Sequence, residues 1–278
     1  MKLEITFDEG MIEPIKDLIR TRVRECNADG VVIGLSGGLD SAVTAKLCTE
    51  TLGRESVLTL MLYDNVTTEE DKEDARNLAE MLAVEHEIID ISNFIKPFYT
   101  LCAHAEQRSQ VIGNVKARLR MIILYYHANL LNRVVVGTSN KSEIAVGYFT
   151  KFGDGGVDIM PLGDLYKTQV RELARYLKIP ERVIEKSPSA SLWEGQTDED
   201  ELGMPYELLD RILFGIECRL SSGEIAERLS LRISDVERVK GMVLKNHHKR
   251  KVPPIPKLGM RTFGVDWREC GKDTQLSG

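Results

Sequence analysis

Residues 31–41 read VVIGLSGGLDS. A short apolar run with β-branched residues (31–35) meets two adjacent glycines, and the pattern then turns helical through Ala42, Val43, Ala45 and Leu47. That order reads as a buried strand, a glycine turn and a helix. A strand with no polar alternation is covered on both faces, which confines the chain to layered α/β folds. Residues 56–62 (SVLTLML), 87–91 (EIIDI) and 133–137 (RVVVG) read as further strands, and 111–131 as a long helix. Strands alternating with helices imply right-handed crossovers and a doubly wound parallel sheet. Thr67 followed by Glu70 suggests a capping box opening a helix through Leu82, with the acidic run 69–74 as its solvated first turns.

Ligands of such sheets bind at the carboxyl ends of strands. Two polar loops leave strands there, residues 36–41 and 138–143. In the first, Gly37 and Gly38 allow positive φ and close approach to a ligand. The exposed N–H groups, the hydroxyls of Ser36 and Ser41 and the following helix N-terminus suit a phosphate or pyrophosphate. Asp40 beside that anion suits a hard divalent cation. The loop is neither a Walker A sequence nor GxGxxG.

The chain has 278 residues, enough for a core that needs no disulfide or metal. Its 37 Lys and Arg against 43 Asp and Glu leave a net charge of −6, which speaks against a general nucleic-acid or membrane-surface binder. The five scattered cysteines (Cys26, Cys48, Cys102, Cys218 and Cys270) contain no CxxC pair and point to a reducing compartment. No signal peptide or spanning apolar run is visible, so a cytoplasmic location without membrane contact is expected. His86, His104 and His127 read as core or surface residues and not as metal ligands. Residues 222–231 and 233–245 have the pattern of a helix-turn-helix, followed by a basic run at 247–251. Mixed charge along the second helix (Asp235, Glu237, Arg238, Lys240) favours two helices packed on the sheet domain over DNA reading.

SGGLDS resembles the pyrophosphate loop of ATP pyrophosphatases, which cleave ATP between its α and β phosphates and adenylate a substrate. Several downstream motifs narrow the resemblance to the ammonia-dependent NAD synthetase family. They are Gly137-Thr138 with Glu143, FTKFGDGGVD at 149–158, Pro161-Leu162, LYKTQVR at 165–171, TDEDELG at 197–203, and His248-Lys249-Arg250 before Pro253-Pro254. The likeness runs from about Met11 to about Leu258 and leaves the tail 259–278 unmatched.

The resemblance implies a Rossmann-like sheet of the adenine nucleotide α-hydrolase type, a single domain over 1–278 with a C-terminal helical part at 206–251. It implies ATP-dependent amidation of deamido-NAD with ammonia, through an adenylated carboxylate, with Mg2+ as cofactor and ATP as co-substrate. By the same resemblance ATP meets Gly34, Leu35, Ser36, Gly37, Gly38, Leu39, Asp40, Ser41, Thr138, Lys167 and Ser189. Ser189 stands where many relatives have threonine, and keeps the hydroxyl. Deamido-NAD is assigned to Arg118, Lys151, Asp158, His248 and Lys249, and magnesium to Asp40 and Glu143. Asp154 is the candidate base for ammonium. The family's members are homodimers whose interface helps form the dinucleotide site. Glutamine-using relatives carry a separate amidase domain; here the loop already begins at Gly34, so free ammonia is the expected nitrogen donor.

Overall fold

The computed structural model describes residues 3–101 and 108–262. Of the residues singled out above, Cys102, His104, Cys270 and the tail beyond 262 lie outside the described residues. The strands β1 (Gly30–Gly34), β2 (Val57–Tyr63), β3 (Glu85–Asp90) and β4 (Arg133–Val136) form one parallel sheet in the order β3-β2-β1-β4. The chain steps outward from β1 to β3 and then returns across β1 to lay down β4. Strand order therefore reverses between β1 and β4, and a crevice opens beyond their carboxyl ends.

Successive side chains of a strand face opposite sides, and the sheet uses both. Val31, Ile33, Val134 and Val136 pack with α1 (Ile12–Glu25), α2 (Leu39–Leu52), α3 (Glu69–Leu82) and α7 (Lys167–Tyr176). Val32, Leu58, Leu60 and Val135 pack with α4 (Ser92–Leu101) and α5 (Ser109–Leu130). This is the doubly wound arrangement expected from the apolar strands. No helix among the described residues is long and apolar enough to cross a membrane.

A third apolar cluster joins α6 (Lys141–Val146) to α10 (Tyr206–Glu217), α11 (Ser222–Leu229) and α12 (Ile233–Lys245). Ile225, Val236 and Val239 are buried in it, so the helix pair of the helix-turn-helix pattern is spent on packing. Between α7 and α10 lie the short helices α8 (Glu181–Ile184), which packs on the sheet through Val183 and Ile184, and α9 (Asp198–Leu202), which joins the third cluster through Leu202.

Two local readings need correction. The capping box of α3 is made by Thr68 and Asp71, one place beyond Thr67 and Glu70. The Thr67 hydroxyl instead accepts from the Asp64 N–H at 3.1 Å. Nor is the acidic run wholly solvated. Asp71 and Asp74 are buried and share Lys186, at 2.5 and 2.9 Å, and Arg182 takes the other oxygen of Asp74 at 2.8 Å. Helical periodicity brings both aspartates to the side of α3 that faces the glycine loop, where charge has to be paired.

Candidate active site

The glycine loop is built before any ligand arrives. Gly37 has φ of +80°, and a Cβ there would stand 2.4 Å from the carbonyl oxygen of Asp71, so only glycine fits. Ser41 donates to the Gly38 carbonyl at 2.9 Å, and its oxygen accepts from the Ser36 N–H at 3.2 Å. Gly38 is the N-cap of α2 and brings no capping side chain, so the first N–H groups of that helix stay available. Beside the loop opens a cleft of about 590 Å³ at the strand-order reversal. It is lined by every residue from Gly34 to Ser41 except Gly37, whose missing Cβ faces α3, and also by Thr138, Glu143, Lys167, Ser189 and Lys249.

Lys167 is the buried centre of the cleft, 3% exposed. Its Nζ donates to Asp40 Oδ2 and lies 3.4 Å from Glu143 Oε1. Ser142 accepts from the Lys167 N–H at 2.9 Å and itself donates to Asp210, which also accepts from the Thr168 N–H at 2.9 Å. The first turn of α7 is thereby fixed from α6 and α10. Burial works against the charge on Lys167, but Asp40 and Glu143 outweigh it and raise its pKa. Burial first, then the charge of Asp40, push Glu143 up to about 8, against the opposing pull of Lys167. Burial also raises Asp198, again opposed by Lys167; Asp198 Oδ2 accepts from the Tyr206 hydroxyl at 3.0 Å. Asp198 Oδ1 is buried with no hydrogen-bond partner.

Several of these groups escaped sequence reading. Asn140 is fully buried, accepts from the Glu143 N–H at 3.0 Å and donates to Asp40 Oδ1 at 3.1 Å, so it ties both carboxylates together. Its signal was present as N-x-x-E, a capping box at the start of α6. Asp198 lies in the 197–203 motif, which was read without a role for it, and Tyr206 gave no local signal. Arg120 lines the cleft, whereas Arg118, two residues earlier on α5 and about 200° round the helix, is exposed outside it.

The residues assigned to deamido-NAD divide. Lys249 lines the cleft and donates to the carbonyls of Gly147 (2.6 Å) and Phe149 (2.8 Å); burial lowers its pKa, opposed by Asp154. Asn246 donates to the Val146 carbonyl at 2.7 Å and Arg250 to that of Ala145 at 2.7 Å, so the basic run seals the carboxyl end of α6. Arg118, Lys151, Asp158 and His248 lie beyond the cleft lining. Arg118 donates to the Lys151 carbonyl at 3.3 Å, and Lys151 Nζ donates to the His248 carbonyl at 2.9 Å, so three of them form a connected outer rim. Asp158 accepts from the Val135 N–H at 2.8 Å and from the Tyr125 hydroxyl at 3.0 Å. Ser189 donates to the Gln196 carbonyl at 2.7 Å.

A glycine loop at a strand-order reversal, facing a lysine between carboxylates, suits an anionic ligand such as a nucleotide phosphate. The family model for NAD synthase matches residues 11–253 of the chain. The chain belongs to the NAD synthase family. It is 48% identical over 251 residues to the NH3-dependent NAD+ synthetase of Archaeoglobus fulgidus, spanning 90% of this chain and 97% of that one. Two similar solved structures share the fold. The NMN synthetase of Francisella tularensis has a TM-score of 0.80 at 38% identity, with 91% of this chain and 100% of that one covered. The NH3-dependent NAD synthetase of Campylobacter jejuni, solved with a nitrate ion, has a TM-score of 0.77 at 33% identity, with the same coverage.

Proposed function

We propose that the cleft carries out the ATP-dependent amidation of deamido-NAD with free ammonia, yielding NAD, AMP and pyrophosphate. The enzyme is a ligase that forms a carbon–nitrogen bond. A carboxylate is a poor acyl donor, and joining its oxygen to the α-phosphoryl group of ATP turns that oxygen into a leaving group. The observation that carries this reading is Lys167 between Asp40 and Glu143, facing a preformed anion loop. The loop and the start of α2 hold the triphosphate, with Thr138 and Ser189 beside the nucleotide. Lys167 supplies fixed positive charge to the phosphates.

Asp40 and Glu143 would hold magnesium. The donor set fits: Asp40, Glu143 and Asp198 surround one lysine, Glu143 is driven toward its protonated form, and Asp198 keeps an orphaned buried oxygen. Positive charge is short by more than the lysine provides. Among the described residues no three candidate ligands converge into a ready cage. That agrees with an ion that takes a few protein oxygens and completes its shell with phosphate and water. When bound, the ion would neutralise charge on the departing pyrophosphate.

The nicotinate end lies toward residues 149–158, where the exposed carboxylate of Asp154 accepts from the Thr150 N–H at 2.8 Å and is the candidate base for ammonium. The outer rim of Arg118, Lys151 and His248, together with Asp158, then serves the rest of the dinucleotide. A homodimer completes that site. In its support, Ile122, Tyr126 and Leu130 follow Arg118 at four-residue spacing on α5 and are 58%, 63% and 65% exposed. Among the described residues, Cys26, Cys48 and Cys218 are free thiols, in support of a reducing, cytoplasmic setting.

The test is incubation with ATP, magnesium, ammonium and deamido-NAD, followed by detection of NAD and AMP. Parallel arms replace deamido-NAD by nicotinate mononucleotide, and ammonium by glutamine. NAD and AMP in equal amounts from the first mixture are expected. Preference for the mononucleotide, or equal use of glutamine, would overturn the assignment.

A further inference from the structure

Arg120 is a cleft cation with no hydrogen-bonding partner among the described residues. It lines the cleft, and its Nε is shut away from solvent with no hydrogen bond among the described residues. The two carboxylates whose charge it feels, Asp64 and Asp154, are engaged by other groups. Lys116 Nζ lies 2.6 Å from Asp64 Oδ2, and Asp154 Oδ1 accepts from the Thr150 N–H at 2.8 Å. Burial lowers the pKa of the guanidinium against the pull of both aspartates, so the site as it stands disfavours the charge it holds.

Its neighbours on α5 locate it. Leu124, one turn on, stands 3.7 Å from where a Cβ of Gly34 would be, at the start of the phosphate loop. Ala117 and Met121 stand 3.0 and 3.2 Å from the corresponding points of Gly153 and Gly156. Arg120 therefore occupies the junction between the phosphate loop and the 153–156 loop. An unpaired guanidinium at such a junction is matched to two oxygens of one tetrahedral anion, through its planar fork.

We propose that Arg120 is a catalytic residue of the adenylation step, binding the anionic oxygens of the α-phosphoryl group during its transfer. This rests on the amidation reading above. In that step a nicotinate carboxylate oxygen attacks the α-phosphorus and the bond to the bridging oxygen of the β-phosphate breaks. Pyrophosphate leaves with the electron pair, and no proton is exchanged. Charge gathers on the equatorial oxygens as the phosphorus passes through five-coordination, and a fixed guanidinium stabilises it. Ammonia then displaces AMP from the acyl carbon, losing a proton, and this second step does not need the fork.

The experiment compares wild type, Arg120→Gln and Arg120→Lys by pyrophosphate release and melting temperature. At saturating ATP and deamido-NAD, Arg120→Gln is expected to release pyrophosphate roughly 100-fold more slowly, as for loss of one preorganised charge donor. Both Michaelis constants should stay within about threefold, since the contact is made mainly in the transition state. Arg120→Lys, keeping charge without the fork, should fall between the two. Melting temperature should hold or rise in Arg120→Gln, because an unpaired, poorly hydrated charge has been removed. Arg120→Gln as fast as wild type would overturn the proposal, and so would parallel losses of stability and activity in both variants. Wild type that releases no pyrophosphate would overturn the amidation reading first, and this assignment with it.

Discussion

Lys167 sits in the first turn of α7, where a helix dipole disfavours a cation, and it stays there because Asp40 and Glu143 hold it. One ammonium cannot balance those carboxylates together with Asp198, and the imbalance falls on Glu143. Its pKa is raised on folding, so the folded state binds a proton more tightly than the unfolded chain. The contribution of Glu143 to stability is therefore present below the ordinary carboxylate range and lost as pH rises through about 8. In metal-free buffer, Glu143→Gln, which mimics the protonated form, should melt higher than wild type. The gap should widen as pH rises from the ordinary carboxylate range toward about 8 and level off beyond. Thermal scans across that range check it; a gap independent of pH would contradict the buried, charge-crowded Glu143. At this scale the sequence was informative where residues share a contiguous motif, as Ser36 to Ser41 do. It was silent where partners are remote: Asn140 reaches Asp40 across 100 residues, and Tyr206 approaches Lys167 only through folding.

The elements were legible because β1, β2 and β4 are largely apolar runs and the helices periodic, and boundaries moved by no more than two or three residues. What periodicity could not give is how one element closes another. The basic run after α12 reads as a cation cluster, yet in the fold Asn246, Lys249 and Arg250 donate to the carbonyls at the end of α6. Gly147 makes that closure possible. Its φ is +73°, and a Cβ there would stand 2.2 Å from Asn246 Cβ. Lys249 thus holds the segment 147–149 as well as facing the cleft. Lys249→Ala should lower stability by about 1–3 kcal/mol, the usual cost of buried acceptors left unpaired. It should also raise the Michaelis constant for deamido-NAD well above any change for ATP, which the proposed function assigns to the loop between β1 and α2. Thermal melts with paired saturation curves measure both; an equal rise in the two constants would remove Lys249 from the dinucleotide end.

For the molecule as a whole, the order β3-β2-β1-β4 sets the place of the chemistry, since it puts the loops after β1 and β4 on either side of one crevice. The same topology leaves one side of α5 uncovered, with Ile122, Tyr126 and Leu130 exposed beside the Arg118 rim. From the sequence alone α5 was ambiguous, because its apolar residues suit a core face and an interface equally. Wild type should sediment as a dimer and Ile122→Asp as a monomer with weakened deamido-NAD binding; monomeric wild type would leave the rim unexplained. The central claim is that the nicotinate carboxylate is adenylated in the cleft between these loops. Its most direct test is turnover of deamido-NAD carrying a heavy-oxygen label in that carboxylate, with mass analysis of the products. The label should appear once in the phosphate of AMP and not in pyrophosphate. Label in pyrophosphate or inorganic phosphate, with none in AMP, would contradict it.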